Sequence, residues 1–366
     1  MRVNSLELFQ FRNYHQFSIS FDHNINILIG KNAQGKTNLI ESIYLLSVCK
    51  SFRTHLNKQM ITFEQEFARV KANITANKKD RTLEVIIGDN FKKAKIDQKD
   101  ILKISEFVGY LNVVVFVPDD LNLIKGSPNI RRKFLDLEIS KISPIYIFQL
   151  NKYYKLLKER NKYLKILNKK NKSNDPYLEV LDEQLAKIQI DIIKKRKEFI
   201  DKLSSKTNEY YQKISLDQET IKLTYKSFIK DEITTNNILD IYKNSRNRDI
   251  RYMQSHKGIH KDDINIFINN QDAFYFASQG QQRSIILAIK IALIDIIKEE
   301  IGEYPILLLD DVLSELDNYR QNKLLDLLSQ NIQTFITTTS IDGIEHQLIK
   351  EANKIYIDKE RTTNNG

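Results

Sequence analysis

The stretch ILIGKNAQGKTNLIESIYLL, residues 27–46, constrains the fold more than any other. An apolar run enters a loop bracketed by Gly30 and Gly35, the loop ends in Lys36 and Thr37, and a helical pattern follows. Residues 30–37 fit G-x-x-x-x-G-K-[ST] without a mismatch, and a strand before and a helix after are the context in which that pattern cradles phosphate. Two glycines allow a tight turn and close backbone approach. Loop N–H groups and the helix N-terminus attract phosphate oxygens. Lys36 would reach the β- and γ-phosphates, and the Thr37 hydroxyl suits Mg²⁺. The expected nucleotide-binding set is Gly30, Lys31, Asn32, Ala33, Gln34, Gly35, Lys36 and Thr37, with ATP and Mg²⁺ as ligands. The plain alternative is a glycine turn with an idle lysine.

A phosphate loop of this kind needs an aspartate at the end of a buried strand. PILLLDD, residues 305–311, supplies it. Asp310 is expected at Mg²⁺, and Asp311 as the residue that orients or deprotonates the attacking water. More than 270 residues separate Thr37 from Asp310, so the chain leaves the nucleotide domain and returns to finish its sheet.

The intervening texture shows where it goes. From about 144 to 213 there is no glycine and the apolar period is helical. Leu150, Tyr153, Leu157, Leu164 and Leu167 keep 3–4 spacing, interrupted by Arg160; Leu178, Leu181, Leu185, Ile188 and Ile192 resume it after a polar break at 168–176. This predicts an αα-hairpin, a short antiparallel coiled coil whose second helix, of some 35 residues, reaches about 50 Å. Residues 141–213 carry 18 Lys/Arg against 9 Asp/Glu, so nearly all of the chain's net charge of +10 sits there. A basic balance fits a nucleic-acid partner; a solvated coiled-coil face is the bland reading.

Elsewhere strands are expected within 2–30, at 67–75, 82–88, 92–96, 111–118 and 219–226, and as a pair within 264–278. Helices are expected from Thr37 to about Val48, at 237–250, 280–299 and 315–329, and a short one begins at 119. The ending reads as βαβαβ, with residues 359–366 frayed. The single cysteine, Cys49, excludes an internal disulfide. The opening lacks a signal-peptide pattern, and the most apolar helix is interrupted by Lys290 and Asp295; both point to a cytoplasmic protein without a membrane partner.

Two further stretches narrow the class. ASQGQQRS, residues 277–284, resembles the signature motif of ABC-type ATPases, and SELD, residues 314–317, resembles their D-loop. In that class Ser278, Gly280 and Gln281 of one subunit would cover the γ-phosphate held by another, so that ATP clamps a homodimer. LFQFRNY (8–14), KSFR (50–53), VPDDLNLIKGSPNIRRKFLD (117–136) and LLLDDVLSELD (307–317), with the phosphate loop, resemble the RecF family of bacterial recombination-repair ATPases, in the SMC/ABC-like group. The resemblance covers nearly the whole chain. It implies an α/β P-loop ABC/SMC-type ATPase head with an inserted antiparallel helical arm. The expected division is 1–140 for the first part of the head, 141–215 for the arm and 216–366 for the rest.

The resemblance further implies a DNA-binding ATPase at single-stranded gaps and junctions that works with RecO and RecR to help load RecA, in repair, replication-fork maintenance and SOS induction. Lys36 and Asp311 would be catalytic, and Thr37 and Asp310 the metal ligands. A short base at Asp311, and threonines in FITTTS (335–340) where a switch histidine would stand, imply slow hydrolysis. GIHKDDI (258–264) departs from the family pattern at Ile259 and Lys261 and leaves that segment's role open, as it is for Arg131 and Arg132. The rival readings are a transporter-type ABC subunit and an SMC-like bridging ATPase.

Overall fold

The computed structural model describes residues 1–172, 175–215, 219–327, 331–341 and 346–358. The expected frayed tail at 359–366 lies outside them, as do parts of the polar break at 168–176 and of the expected 315–329 helix. The chain divides into two compact units. One comprises 1–121, 209–218 and 283–366, the other 122–208 and 219–282. These boundaries differ from the 1–140, 141–215 and 216–366 division, because 122–140 and 219–282 pack with the helical hairpin rather than with the phosphate-loop sheet.

In the first unit a five-stranded parallel sheet runs in the order Asn353–Tyr356, Ile25–Ile29, Thr334–Thr338, Ile306–Asp310, Val113–Phe116. Its four central and edge strands before Asn353 are buried at every position, as parallel strands covered on both faces are. The order places the ends of Ile25–Ile29 and Ile306–Asp310 on either side of Thr334–Thr338, which closes the 273-residue gap between Thr37 and Asp310. A six-stranded antiparallel sheet (Tyr14–Ser20, Arg2–Phe11, Phe67–Ala76, Lys79–Gly88, Lys92–Ile96, Lys99–Ile101) completes this unit. Phe67–Ala76 alternates buried and open positions, the mark of one packed face. Asn77–Lys78 and Asp97–Gln98 turn its hairpins with positive φ at both residues, as type I′ turns require. Cys49 is a packed side chain whose burial pushes its thiol up to about 12.

The helices Pro144–Lys169 and Pro176–Ile214 form the expected hairpin; the second helix is 39 residues long and belongs to the second unit up to Asn208. All the apolar positions of the two repeats are buried except Ile188, which is partly so. The hairpin is not a lone coiled coil: Ile250 of the helix Thr235–Tyr252 joins Leu164, Leu167 and Leu178 in one cluster. Arg160 does not interrupt the packed face but belongs to it, at 0% exposure. Its guanidinium donates to Asp182 (2.6 Å), Asp249 (2.8 Å) and Ser255 (2.7 Å).

The expected strand pair within 264–278 is cut short. Asp263–Ile268 pairs with Gln271–Asp272 around Asn269–Asn270, and then Ala273–Phe276 turns helical. Asp272 caps that turn by accepting from the Phe274 N–H (2.9 Å), which outweighs the β propensity of three aromatics. The helix expected at 315–329 starts at Asn318, because Asp317 accepts from the Arg320 N–H (2.9 Å).

Candidate functional site

The loop at 30–37 leaves the strand Ile25–Ile29 and opens the helix Lys36–Val48. Gly35 has φ 107°, and a Cβ there would lie 2.7 Å from Asn13 Nδ2 and 3.0 Å from the Tyr14 hydroxyl. At Gly30 a Cβ would meet the Ile357 carbonyl at 2.4 Å. Both glycines are thus fixed by local geometry. Asn13 donates to the Gln34 carbonyl (3.3 Å) and Tyr14 to that of Gly35 (3.2 Å), while Asn38 donates to Asn13 (2.6 Å). Within the loop, the Lys31 N–H donates to Gln34 Oε1 (2.5 Å). The FRNY turn is therefore the brace of the phosphate loop.

Glu41, on the inner face of the same helix, ties the other opening segments together. It accepts from Arg12 Nε (2.8 Å) and Nη2 (2.5 Å), from the Ser51 hydroxyl, and at longer range from Arg53 (3.5 Å). No sequence pattern marked Glu41. Its only signal was a carboxylate on the buried side of an apolar helix.

Lys36 Nζ donates to the carbonyls of Gly30 (2.6 Å) and Lys31 (3.0 Å). Burial lowers its pKa, against an opposing pull from Asp311 and Asp310. Thr37 Oγ1 donates to Asp310 Oδ1 at 2.9 Å, joining the two halves of the site. Burial raises the Asp310 carboxyl, with the hydrogen bonds from Thr37 and Thr337 working the other way. Asp311 is held at φ 58°, a left-handed conformation that Asp tolerates better than most residues.

Thr337 is the residue that sequence reasoning missed. Its hydroxyl donates to Asp310 Oδ1 (2.9 Å) and accepts from the Asp311 N–H (2.9 Å). The threonines of FITTTS thus have work of their own: one holds both acids in register from the neighbouring strand, where Thr337 stands opposite Asp310. A hydroxyl and a buried carboxylate are hard oxygen donors of the kind that suits Mg²⁺. The geometry can seat a phosphate on loop amides, balance it with an ammonium, and hold a divalent cation beside it.

Ser278, Gly280 and Gln281 belong to the second unit, where they begin the helix Gln279–Ile301. Ser278 is exposed. It accepts from the Gln281 N–H (3.2 Å) while the Gln281 side chain accepts from the Ser278 N–H (2.6 Å), a reciprocal capping box. Before it, across the buried Ala277, stand three exposed aromatics, Phe274, Tyr275 and Phe276, with Tyr275 at 75% exposure.

Arg131 and Arg132, with the 258–264 segment, are structural ties of the second unit. Arg131 grips Asp263 with two bonds (2.7 and 2.9 Å), and Arg132 donates to the Asp262 carbonyl (2.9 Å). Arg196, at 0% exposure, binds the Ile259 carbonyl (2.9 Å) and Asp136 (2.6 Å). His260 bonds Tyr153 (2.6 Å) and the Ser255 carbonyl (3.0 Å). Among the described residues no helix is long and apolar enough to cross a membrane.

Comparison with known proteins agrees with this architecture. The family model RecF/RecN/SMC N terminal domain matches residues 2–364. The DNA replication and repair protein RecF of Halalkalibacterium halodurans is 41% identical over 358 residues, covering 96% of each chain. That of Bacillus cereus is 40% identical over 363 residues, covering 98% of this chain and 97% of its own. A solved structure of the recombination mediator protein RecF with ATP, in the RecFOR pathway, superposes with a TM-score of 0.89 at 32% identity, over 98% of this chain and 95% of that one. An Smc head domain from Pyrococcus furiosus shares the fold at 15% identity and a TM-score of 0.56, over 99% of this chain and 94% of that one. With relatives this similar along nearly its whole length, the chain belongs to the RecF family of DNA replication and repair proteins.

Proposed function

We propose that this chain is a slow, Mg²⁺-dependent ATPase that closes into a homodimer on gapped or single-stranded DNA and uses ATP as the clamp. The observation that carries the reading is the 2.9 Å bond between Thr37 and Asp310 beside a lysine-ended glycine loop. Residues 30–37 bind the phosphates, with Lys36 on the β- and γ-oxygens. Thr37 and Asp310 hold Mg²⁺, which supplies charge neutralisation on the phosphate oxygens. Asp311, fixed through its own N–H by Thr337, orients the attacking water.

Ser278, Gly280 and Gln281 serve the nucleotide of the second copy. Two features support this role: Ser278 is exposed at a helix start, and its hydroxyl accepts within the capping box and so retains a proton to donate. Three exposed aromatics beside it are the kind of surface that a partner covers. Loss of the γ-phosphate removes contacts on both sides of the clamp and releases the dimer. The RecFOR context of a similar protein supports RecO and RecR as partners, RecA loading and SOS induction as the outcome, and the cytoplasm as the place.

The test is sedimentation with ATP and gapped DNA beside a Lys36→Met control. Wild type dimerises on DNA and the control does not. Asp311→Asn traps the ATP-bound dimer; a variant that sediments as a monomer with ATP would refute the assignment.

A further inference from the structure

We infer that the outer face of the helix Pro144–Lys169 is a docking ridge for the phosphate backbone of nucleic acid. The inference rests on the DNA-binding reading above and names where contact is made.

The helix carries Lys152, Lys155, Lys158, Lys162, Lys165 and Lys169, all exposed, against one carboxylate, Glu159. At 3.6 residues per turn these lysines fall within an arc of about 140°, centred opposite the buried stripe of Tyr153, Leu157, Arg160 and Leu164. From first to last they span about 25 Å of helix axis. Among the described residues none of the six takes part in an ion pair. Glu159 instead accepts from the Tyr177 hydroxyl.

On the companion helix Pro176–Ile214 Lys194 and Lys197 are exposed, but other lysines are paired. Its Lys187 pairs with Glu183 (2.5 Å), Lys195 with Glu198 (3.4 Å) and Lys213 with Glu209 (2.6 Å). The most buried basic residues, Arg160 and Arg196, are each bound by two carboxylates. Part of the arm's positive excess is thereby internal to the fold, while the six lysines of one ridge are not offset.

The chemistry selects the occupant. Lysine is depleted in protein–protein interfaces, where aromatic and arginine anchors dominate. A row of flexible ammonium groups instead suits phosphates contacted without regard to sequence. A duplex segment about 25 Å long carries on the order of 15 phosphates, more than enough to engage all six. The face opposite the ridge is packed within the protein, and the exposed Ile145, Phe148, Tyr154 and Ile166 are scattered among the lysines rather than aligned in one stripe that could sink into a lipid surface.

The experiment is a DNA titration of the full chain with ATP across a salt series, read by fluorescence anisotropy on gapped duplex. Lys152→Gln/Lys155→Gln/Lys162→Gln/Lys165→Gln is compared with Lys187→Gln/Lys195→Gln, which removes ion-paired lysines from the companion helix. The first variant is expected to weaken binding on the order of 10- to 100-fold near 100 mM salt, and to flatten the log–log salt slope by about 3 to 4. The second should leave the slope within about 1 of wild type. ATP turnover without DNA stays at the wild-type rate in both. Wild-type affinity and slope in the first variant would overturn the ridge while leaving the proposed function standing. Wild type that binds no DNA in any nucleotide state removes the function and the ridge together. Capture by phosphatidylserine vesicles through these lysines, with DNA binding unchanged, also overturns it.

Discussion

The phosphate-loop centre and the helical unit both bury charged groups, and they treat them in opposite ways. Burial pulls the guanidinium pKa values of Arg160 and Arg196 down, but Asp182 and Asp249 beside the first, and Tyr146 and Asp136 beside the second, hold both above their ordinary range. Lys36 rests on neutral carbonyls and Asp310 on neutral hydroxyls, and burial drives each toward its uncharged form. A buried charge that its own fold does not neutralise is poised for a ligand of opposite sign. For Lys36 that is a phosphate, for Asp310 a cation. The arginines of the second unit are neutralised by carboxylates of their own fold and hold its architecture together.

The largest effect should come from breaking a buried ion pair. Arg160→Met takes the principal cation from buried Asp182 and Asp249, leaving them only Arg246 (3.5 Å) and His256 (3.0 Å), and should cost about 3–5 kcal/mol. Hydrogen exchange across Pro144–Lys169 and Thr235–Tyr252 would record it as lost protection. Adding Asp182→Leu should recover part of the loss, since an ion pair replaced whole by apolar groups is far less costly than one broken. A cost below about 1 kcal/mol would mean that the pairing is incidental.

Acid should reveal a second, smaller dependence in the same unit. Burial pushes His260 down to about 4, so it stays neutral in the fold where the unfolded chain would already be protonated. Because the folded pKa lies below the unfolded one, the stabilisation is complete above about pH 6.5 and is lost as pH falls toward 4. The loss should be of order 1–3 kcal/mol, read from unfolding midpoints at stepped pH. His260→Asn should flatten the curve in that window. A wild-type curve already flat there would show that the imidazole protonates in place.

These contrasts explain what was legible in the sequence. The phosphate loop depends on backbone shape, which its two glycines announce, and Asp310 ends an apolar strand as expected. Thr337 was invisible because its role depends on strand order: parallel pairing with Ile306–Asp310 sets it beside Asp310. Arg160 read as a fault in the helical repeat because its partners stand 22 and 89 positions away. Glu41 joins three separate segments through bonds that no local pattern foreshadows. Aromatic residues misled at 273–276, where one capping aspartate decided the backbone.

The centre itself offers a test with little stability at stake. Thr337→Val removes the donor to Asp310 and the acceptor for the Asp311 N–H. It should lower ATP turnover about 10- to 100-fold, as loss of a supporting group behind a metal ligand does, with about 1 kcal/mol of destabilisation. Thr337→Ser keeps the hydroxyl and should restore most of the rate. If serine restores nothing, the methyl packing matters and the hydrogen bonds do not.

The smallest structural perturbation discriminates most sharply between the two roles of Ser278. Aspartate is as good an N-cap as serine, so Ser278→Asp preserves the bond to the Gln281 N–H and should shift stability by only a few tenths of a kcal/mol. If capping is all that the residue does, the variant is silent. If its hydroxyl faces a nucleotide carried by a second copy, the new carboxylate meets a γ-phosphate of the same sign, and ATP-dependent dimerisation fails while ATP binding to the isolated chain survives. Sedimentation and nucleotide binding on the same preparation separate these outcomes. An intact dimer would return Ser278 to the structural residues, with Arg131 and His260.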